Sequence, residues 1–182
     1  MSTAVSISAK GPVLERVPEG DDRPRLSCAE CGFVHYVNPR IIAAAVPVWQ
    51  GRVLLARRAI NPRKEFWTIP AGFLEVGETV EAGAVREAWE EARARICVDG
   101  LLGIYNIAAI GQVYIVYRAR MLSADHAPGP ESLEARLFAW DEVPWRELAF
   151  PSVRWALEHY RQVEGRRDFA PFTEPAEMHW SR

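Results

Sequence analysis

Glu87, Glu90 and Glu91 are the residues of this chain whose types and spacing point most directly to chemistry. On a helix turning about 100° per residue they fall within an arc of about 100°. Three carboxylates so close repel one another unless positive charge sits among them. Hard divalent cations meet that need, because Mg²⁺ prefers oxygen ligands and accepts phosphate in its shell. Arg86 lies four residues before Glu90 and can pair with it, and Glu78 can reach back to the helix start or to Arg86. A solvated acidic helix face is the plainer alternative. Against it stand the glycine-bearing stretch Gly72 to Glu78 leading into the helix, the arginine inside the acidic cluster, and small residues on the opposite side. Those are Ala84, Ala88 and Ala92, with Val85 beside them, and they suit close packing on a sheet.

The elements that must position these groups follow from periodicity and turn residues. A helix is predicted over Thr79 to Ala94, with Thr79 as N-cap and Glu81 in the first turn. Before it, Ile41 to Trp49 and Val53 to Ala56 read as strands joined by Gln50-Gly51, and Phe66 to Pro70 as a short extended piece. Ala71 to Glu78 reads as a loop. After the helix come strands near Leu101–Ile107, Gln112–Arg120 and Leu133–Trp140, a loop from Met121 to Ser132 and a helical turn at Pro144–Leu148. An amphipathic helix over Ser152–Val163 turns Val153, Ala156, Leu157 and Tyr160 inward. Several strands with one central and one terminal helix suggest a mixed sheet sandwiched by helices.

Composition narrows the class. The 182 residues are 49% hydrophobic and 25% charged, which suits one compact domain with a small appendage rather than a disordered chain. The formal net charge of −2 leaves no basic field for nucleic acid. Positive charge is almost all arginine, 20 Arg against 2 Lys, which reflects either a GC-rich genome or a supply of planar forks for phosphate. Met1 to Gly11 has no apolar core of a secretory leader, no stretch reads as a membrane helix, and three cysteines are too few for a disulfide framework. A cytoplasmic location is therefore expected.

Gly72, Glu78, Arg86, Glu87, Glu90 and Glu91 resemble the box of the Nudix hydrolases, G-x5-E-x7-R-E-U-x-E-E-x-G-U with U apolar, running here from Gly72 to Ala94. One position departs, Arg93 standing where the box has its last glycine. The resemblance implies an α/β/α sandwich around a mixed sheet and hydrolysis of a nucleoside diphosphate linked to another moiety. It implies Mg²⁺ or Mn²⁺ held by Glu87, Glu90 and Glu91, with a backbone carbonyl of Ala71 or Gly72. The attacking water needs a base, which in many members is a glutamate outside the box; Glu134 is the first candidate and Glu131 the second. These two, with Glu78 and Arg86, make up the candidate catalytic set. The resemblance also implies a homodimer acting on a small nucleotide, with neither nucleic acid nor membrane as partner. A nucleotide-binding module on a weak or inactive Nudix scaffold is the alternative, with Arg93 as its support.

The runs around the box are similar to one branch of the family, the plant chloroplast FAD and ADP-ribose pyrophosphatase with its bacterial relatives. They are Cys28-x-x-Cys31-Gly32, Tyr36-x-Asn38-Pro39-Arg40, Phe66 through Glu78, Gly111-Gln112-Val113-Tyr114 and Gly129-Pro130-Glu131-Ser132-Leu133-Glu134. That branch implies FAD, cut to FMN and AMP, or ADP-ribose, cut to AMP and ribose 5-phosphate. Phe66, Trp67, Tyr105 and Tyr114 could stack flavin or adenine, Arg57 or Arg58 could take phosphate, and Gln112 belongs to the same substrate set. Core packing is the competing role for each aromatic. The NADH-cleaving branch carries Ser-Gln-Pro-Trp-Pro-Phe-Pro after its box, a run missing here, and the coenzyme A signature fits Val53 to Trp67 poorly.

Three segments result: a ribbon-like N-terminal piece over 1–38, the Nudix domain over 39–165 and a tail over 166–182. Cys28 and Cys31 supply two zinc ligands of the four a structural site normally takes. The branch completes its ribbon with an upstream Cys pair, whereas Ile7 to Gly11 here has no cysteine; His35 is a third candidate and no fourth is evident. A zinc-ribbon-like remnant without its ion is the expectation.

Overall fold

The structure is a computed structural model in which residues 11–176 are described. The chain divides into two compact units between Asn38 and Pro39. The first holds three short antiparallel strands, β1 (Leu14–Arg16), β2 (Arg25–Ser27) and β3 (Val34–His35). The cysteine knuckle is the turn between β2 and β3. Cys28 N–H donates to Phe33 O at 2.8 Å and Gly32 N–H to Cys28 O at 3.0 Å. Cys28 is buried and Cys31 exposed.

The second unit is built on strands β4 (Arg40–Trp49), β5 (Arg52–Arg58), β6 (Trp67–Thr68), β7 (Ala71–Phe73), β8 (Ile96–Ile107), β9 (Gln112–Met121), β10 (Ser132–Phe138) and β11 (Phe172–Thr173). Their order is β10-β5-β4-β9-β8-β11, with β6 paired to β5 and β7 to β4. The β4–β9 and β8–β11 pairs are parallel and the rest antiparallel. Successive strand side chains point to opposite faces. Ala43 and Ala45 therefore lie under helix α1 (Val80–Ala92), with Leu54, Ala84, Ala88 and Ala92. Ala44, Val46 and Val48 lie under helix α2 (Pro151–Val163), with Val153, Trp155, Ala156, Leu157 and Tyr160. The result is the expected layering of helix, mixed sheet and helix. Each fully buried Val or Leu contributes roughly 1.5–3 kcal/mol to holding the layers together.

One feature of the sheet positions the site. β4 and β5 pair only near their shared turn, at Val48↔Val53 and Trp49↔Arg52. Beyond that they part, and β6 pairs with β5 while β7 pairs with β4. The segment expected to be a loop from Ala71 thus begins as a strand, because the parted β4 offers it a free edge at Ile42–Ala44. Pro144–Leu148 forms turns rather than a helical turn. Val85 is exposed, and the sheet-facing side of α1 is left to glycine and alanine. The tail contributes β11 to the sheet edge. The first ten residues of the ribbon segment and residues 177–182 of the tail lie outside the described residues. No helix among those described is long and apolar enough to cross a membrane.

Candidate active site

Helix α1 starts as its sequence suggests. Thr79 has an extended backbone, and its hydroxyl accepts from Ala82 N–H at 3.1 Å, which satisfies one of the unpaired amides of the first turn. Arg86 then draws the acidic residues together. Its Nη2 donates to Glu78 Oε1 at 2.7 Å and to Phe73 O at 3.1 Å, and its Nε donates to Glu78 Oε2 at 3.1 Å. Its Nη1 donates to Glu87 Oε1 at 2.6 Å and to Glu90 Oε2 at 3.0 Å. The guanidinium holds the Glu78 carboxyl below the usual carboxylate range, and Glu78 in turn raises Arg86. Both options open for Glu78 thus resolve to Arg86.

Glu87 and Glu91 are buried, each 8% exposed. Burial pushes Glu87 up, against the opposing pull of Arg86. Burial pushes Glu91 up to about 8, against the hydrogen bond that its Oε2 accepts from Ala71 N–H at 3.1 Å. Gly72 lies so close to Glu87 that an added Cβ would fall on its carboxylate. The parted sheet and the bare Gly72 together let two carboxylates enter a space that excludes most water. This all-oxygen donor set, short of positive charge, fits a hard divalent cation. In the arrangement described, Glu87 and Glu90 turn to Arg86, and among the described residues no three His, Cys, Asp or Glu side chains converge as ligands, in the ribbon or here.

These groups form one wall of a cavity of about 960 Å³. Ala71, Gly72, Arg86, Glu87, Glu90 and Glu91 line it, as do Arg58, Gln112, Tyr114 and Glu131. Arg58 is braced by its Nε bond to Pro62 O at 3.0 Å and lies over the Phe150 ring at 5.3 Å. Glu131 arrives on the loop before β10. There Ala127 N–H donates to Ala92 O and Gly129 N–H to Glu91 O, both at 3.0 Å, so the loop covers the end of α1. A Cβ on Gly129 would collide with the Glu90 carbonyl, so the close approach that delivers Glu131 requires glycine.

Other expected site residues stand elsewhere. Glu134 sits on β10 opposite Arg57, away from the cavity lining. Arg57 donates to Glu65 O at 2.9 Å. Phe66 lies under Arg63, and Trp67 is 6% exposed in the core, edge-on to Phe138 at 4.9 Å. Tyr105 is wholly buried and bonds His159 Nδ1 at 2.8 Å. The reason is register: in a two-residue strand such as β6 one step decides between core and cavity. Sequence reasoning missed Phe150 and Ser152 at the start of α2, Trp89 on α1 and Arg93 just past its end, all of which line the cavity. For Trp89 the signal was its place between Glu87 and Glu90 on the exposed side of the helix.

The NUDIX domain family model matches residues 39–160. The chain belongs to the Nudix hydrolase family. A second model, described as Nudix N-terminal, matches residues 10–37. A solved Nudix hydrolase from Nitrosomonas europaea is 42% identical, with 92% of this chain and 95% of that one covered at a TM-score of 0.85. An ADP-ribose pyrophosphatase from Methanocaldococcus jannaschii is 31% identical over 134 residues, 71% of this chain and 78% of that protein. An NAD-capped RNA hydrolase NudC from Vibrio vulnificus is 30% identical over 122 residues, 65% of this Nudix chain but 46% of that protein.

Proposed function

We propose that this Nudix hydrolase cuts the pyrophosphate of an adenylate-linked nucleoside diphosphate, FAD or ADP-ribose, in a divalent-cation-dependent reaction. The observation that carries the reading is the cavity wall where Glu87, Glu90 and Glu91 meet, two of them buried and pushed toward protonation by that burial. These glutamates would hold Mg²⁺ or Mn²⁺, which when bound neutralises pyrophosphate oxygens and favours attack by water. Arg86 fixes the orientation of Glu87 and Glu90 through its donors. Arg58 offers its guanidinium to phosphate, and Tyr114 and Phe150 offer aromatic surface to the base. Glu131 takes the proton of the attacking water, a role supported by its place in the lining of the same cavity as the α1 carboxylates. Water attacks one phosphorus in line, the bridging P–O bond breaks, and two phosphomonoesters leave. ADP-ribose is supported by the Methanocaldococcus relative's name, and FAD by the runs flanking the box.

A panel of FAD, ADP-ribose, NADH and dephospho-coenzyme A with Mg²⁺ or Mn²⁺ tests this. AMP release from FAD or ADP-ribose at a higher kcat/KM than from the others is expected. Saturable binding without release across the panel would favour the nucleotide-binding module. The same sample serves for oligomeric state: the homodimer we propose gives a light-scattering mass of about two chains.

A further inference from the structure

Arg93 stands where the family box carries glycine, and the structure gives that position a left-handed backbone, with φ 50° and ψ 24°. Glycine takes this conformation freely, whereas any side chain meets a clash between its Cβ and the backbone. A strained residue of this kind points to function when its side chain is placed to act. Arg93 is so placed. It lines the cavity beside Trp89, whose half-exposed indole also lines it. The Arg93 guanidinium lies over that ring at 5.5 Å, and the Arg95 guanidinium at 5.7 Å. Among the described residues neither guanidinium has a carboxylate within ion-pair distance. Arg86, by contrast, is taken up by Glu78, Glu87 and Glu90. Arg58 carries the phosphate role proposed above. The end of α1 thus brings to the rim of the cavity a positive charge that the pyrophosphate reading does not use.

We propose that Arg93, seated against Trp89, lets the same cavity take an adenine nucleotide that, unlike FAD or ADP-ribose, carries a phosphate on the 2′ or 3′ oxygen of its adenosine, and that Arg93 binds this phosphate. The inference rests on the pyrophosphatase reading of the same cavity. A guanidinium offers paired N–H donors that match two phosphate oxygens, a geometry an ammonium lacks. The indole supports the guanidinium through its face, Nη1 donates to Trp89 O at 3.4 Å, and the remaining donors face no acceptor among the described residues. The left-handed backbone sets the direction in which the side chain leaves the helix.

The test is equilibrium titration of the Mg²⁺-supplemented protein with AMP, adenosine 2′,5′-bisphosphate and adenosine 3′,5′-bisphosphate, in wild type, Arg93→Gln and Arg93→Gly. The wild type is expected to bind one bisphosphate at least about tenfold more tightly than AMP, and in both variants that ratio falls to about one. Arg93→Gln keeps the strained backbone and removes the charge, while Arg93→Gly removes both, so folding effects separate from recognition. Equal affinities in the wild type, no detectable binding of either bisphosphate, or a preference that survives in Arg93→Gln would each overturn the proposal. Because binding is read rather than turnover, a hydrolysis panel that fails leaves this result interpretable on its own.

Discussion

Among the glutamates of its helix, Glu91 is the one that burial pushes up furthest. Burial raises its carboxyl to about 8, from an ordinary value near 4.5, and the hydrogen bond from Ala71 N–H opposes this. A raised folded-state value means that folding favours the protonated acid. The associated stability is complete below about pH 4.5 and is lost as pH rises toward 8. In metal-free protein Glu91→Gln should therefore be the more stable form at pH 8, by on the order of a few kcal/mol, with the gap closing toward pH 4.5. Thermal melts across that range, with a chelator present, read it. Added Mg²⁺ should raise the wild-type melting temperature and leave the variant nearly unmoved. The same substitution should lower kcat by at least about 10²-fold, the scale of one strong electrostatic contact in the transition state. Near-normal turnover at saturating Mg²⁺ would remove Glu91 from the metal set. For the base, Glu131→Gln should cost about 10²-fold or more in kcat and recover in part at high pH. Glu134→Gln, on β10 opposite Arg57, should stay within about twofold. The reverse order would return the role to Glu134.

At the scale of the element, α1 works because its two ends are fixed by different means. Thr79 caps the start through its side chain, and the end is closed by Arg93, whose N–H reaches the Ala88 and Trp89 carbonyls from a left-handed backbone. Loop residues Ala127 and Gly129 take the carbonyls of Ala92 and Glu91, which ties the position of Glu131 to the helix that bears Glu87, Glu90 and Glu91. Arg93→Gly should relieve backbone strain and raise stability by about 0.5–1 kcal/mol, after loss of the contact with Trp89 is deducted. Urea denaturation with an unchanged m-value is the measurement, and a lower midpoint would show that the side chain holds the helix end together.

In the whole molecule, the tail strand β11 lies beside β8 at Gly103 and Ile104, and its Phe172 stacks on His159 of α2 at 4.2 Å. His159 also shares a hydrogen bond with the buried Tyr105 hydroxyl. Burial holds the imidazole below its ordinary value. A depressed base contributes stability that is complete above about pH 6.5 and is lost as pH falls through the lower folded-state value. Between pH 7 and pH 5 the wild type should thus lose more melting temperature than His159→Gln, which keeps polar atoms and does not titrate. Parallel slopes would mean that the imidazole takes up its proton as readily in the folded protein as in the unfolded chain.

The box was legible in the sequence because its contacts are local. Arg86, Glu87, Glu90 and Glu91 lie within six residues, and helix periodicity alone brings them to one side. Thr79 as N-cap and the alternation of β4 between two helices are local for the same reason. Trp67, Glu131, Glu134 and Phe150 were not legible in this way. Whether Trp67 joins the core or the cavity turns on the register of a two-residue strand. Whether Glu131 or Glu134 reaches the carboxylates turns on how closely Gly129 approaches the end of α1. Phe150 and Ser152 reach the cavity only because α2 packs across the opposite face of the sheet from α1. Spacing along one helix determined which side chains could hold cations. Only the parting of β4 from β5, a consequence of packing between distant segments, decided that two of those side chains are buried.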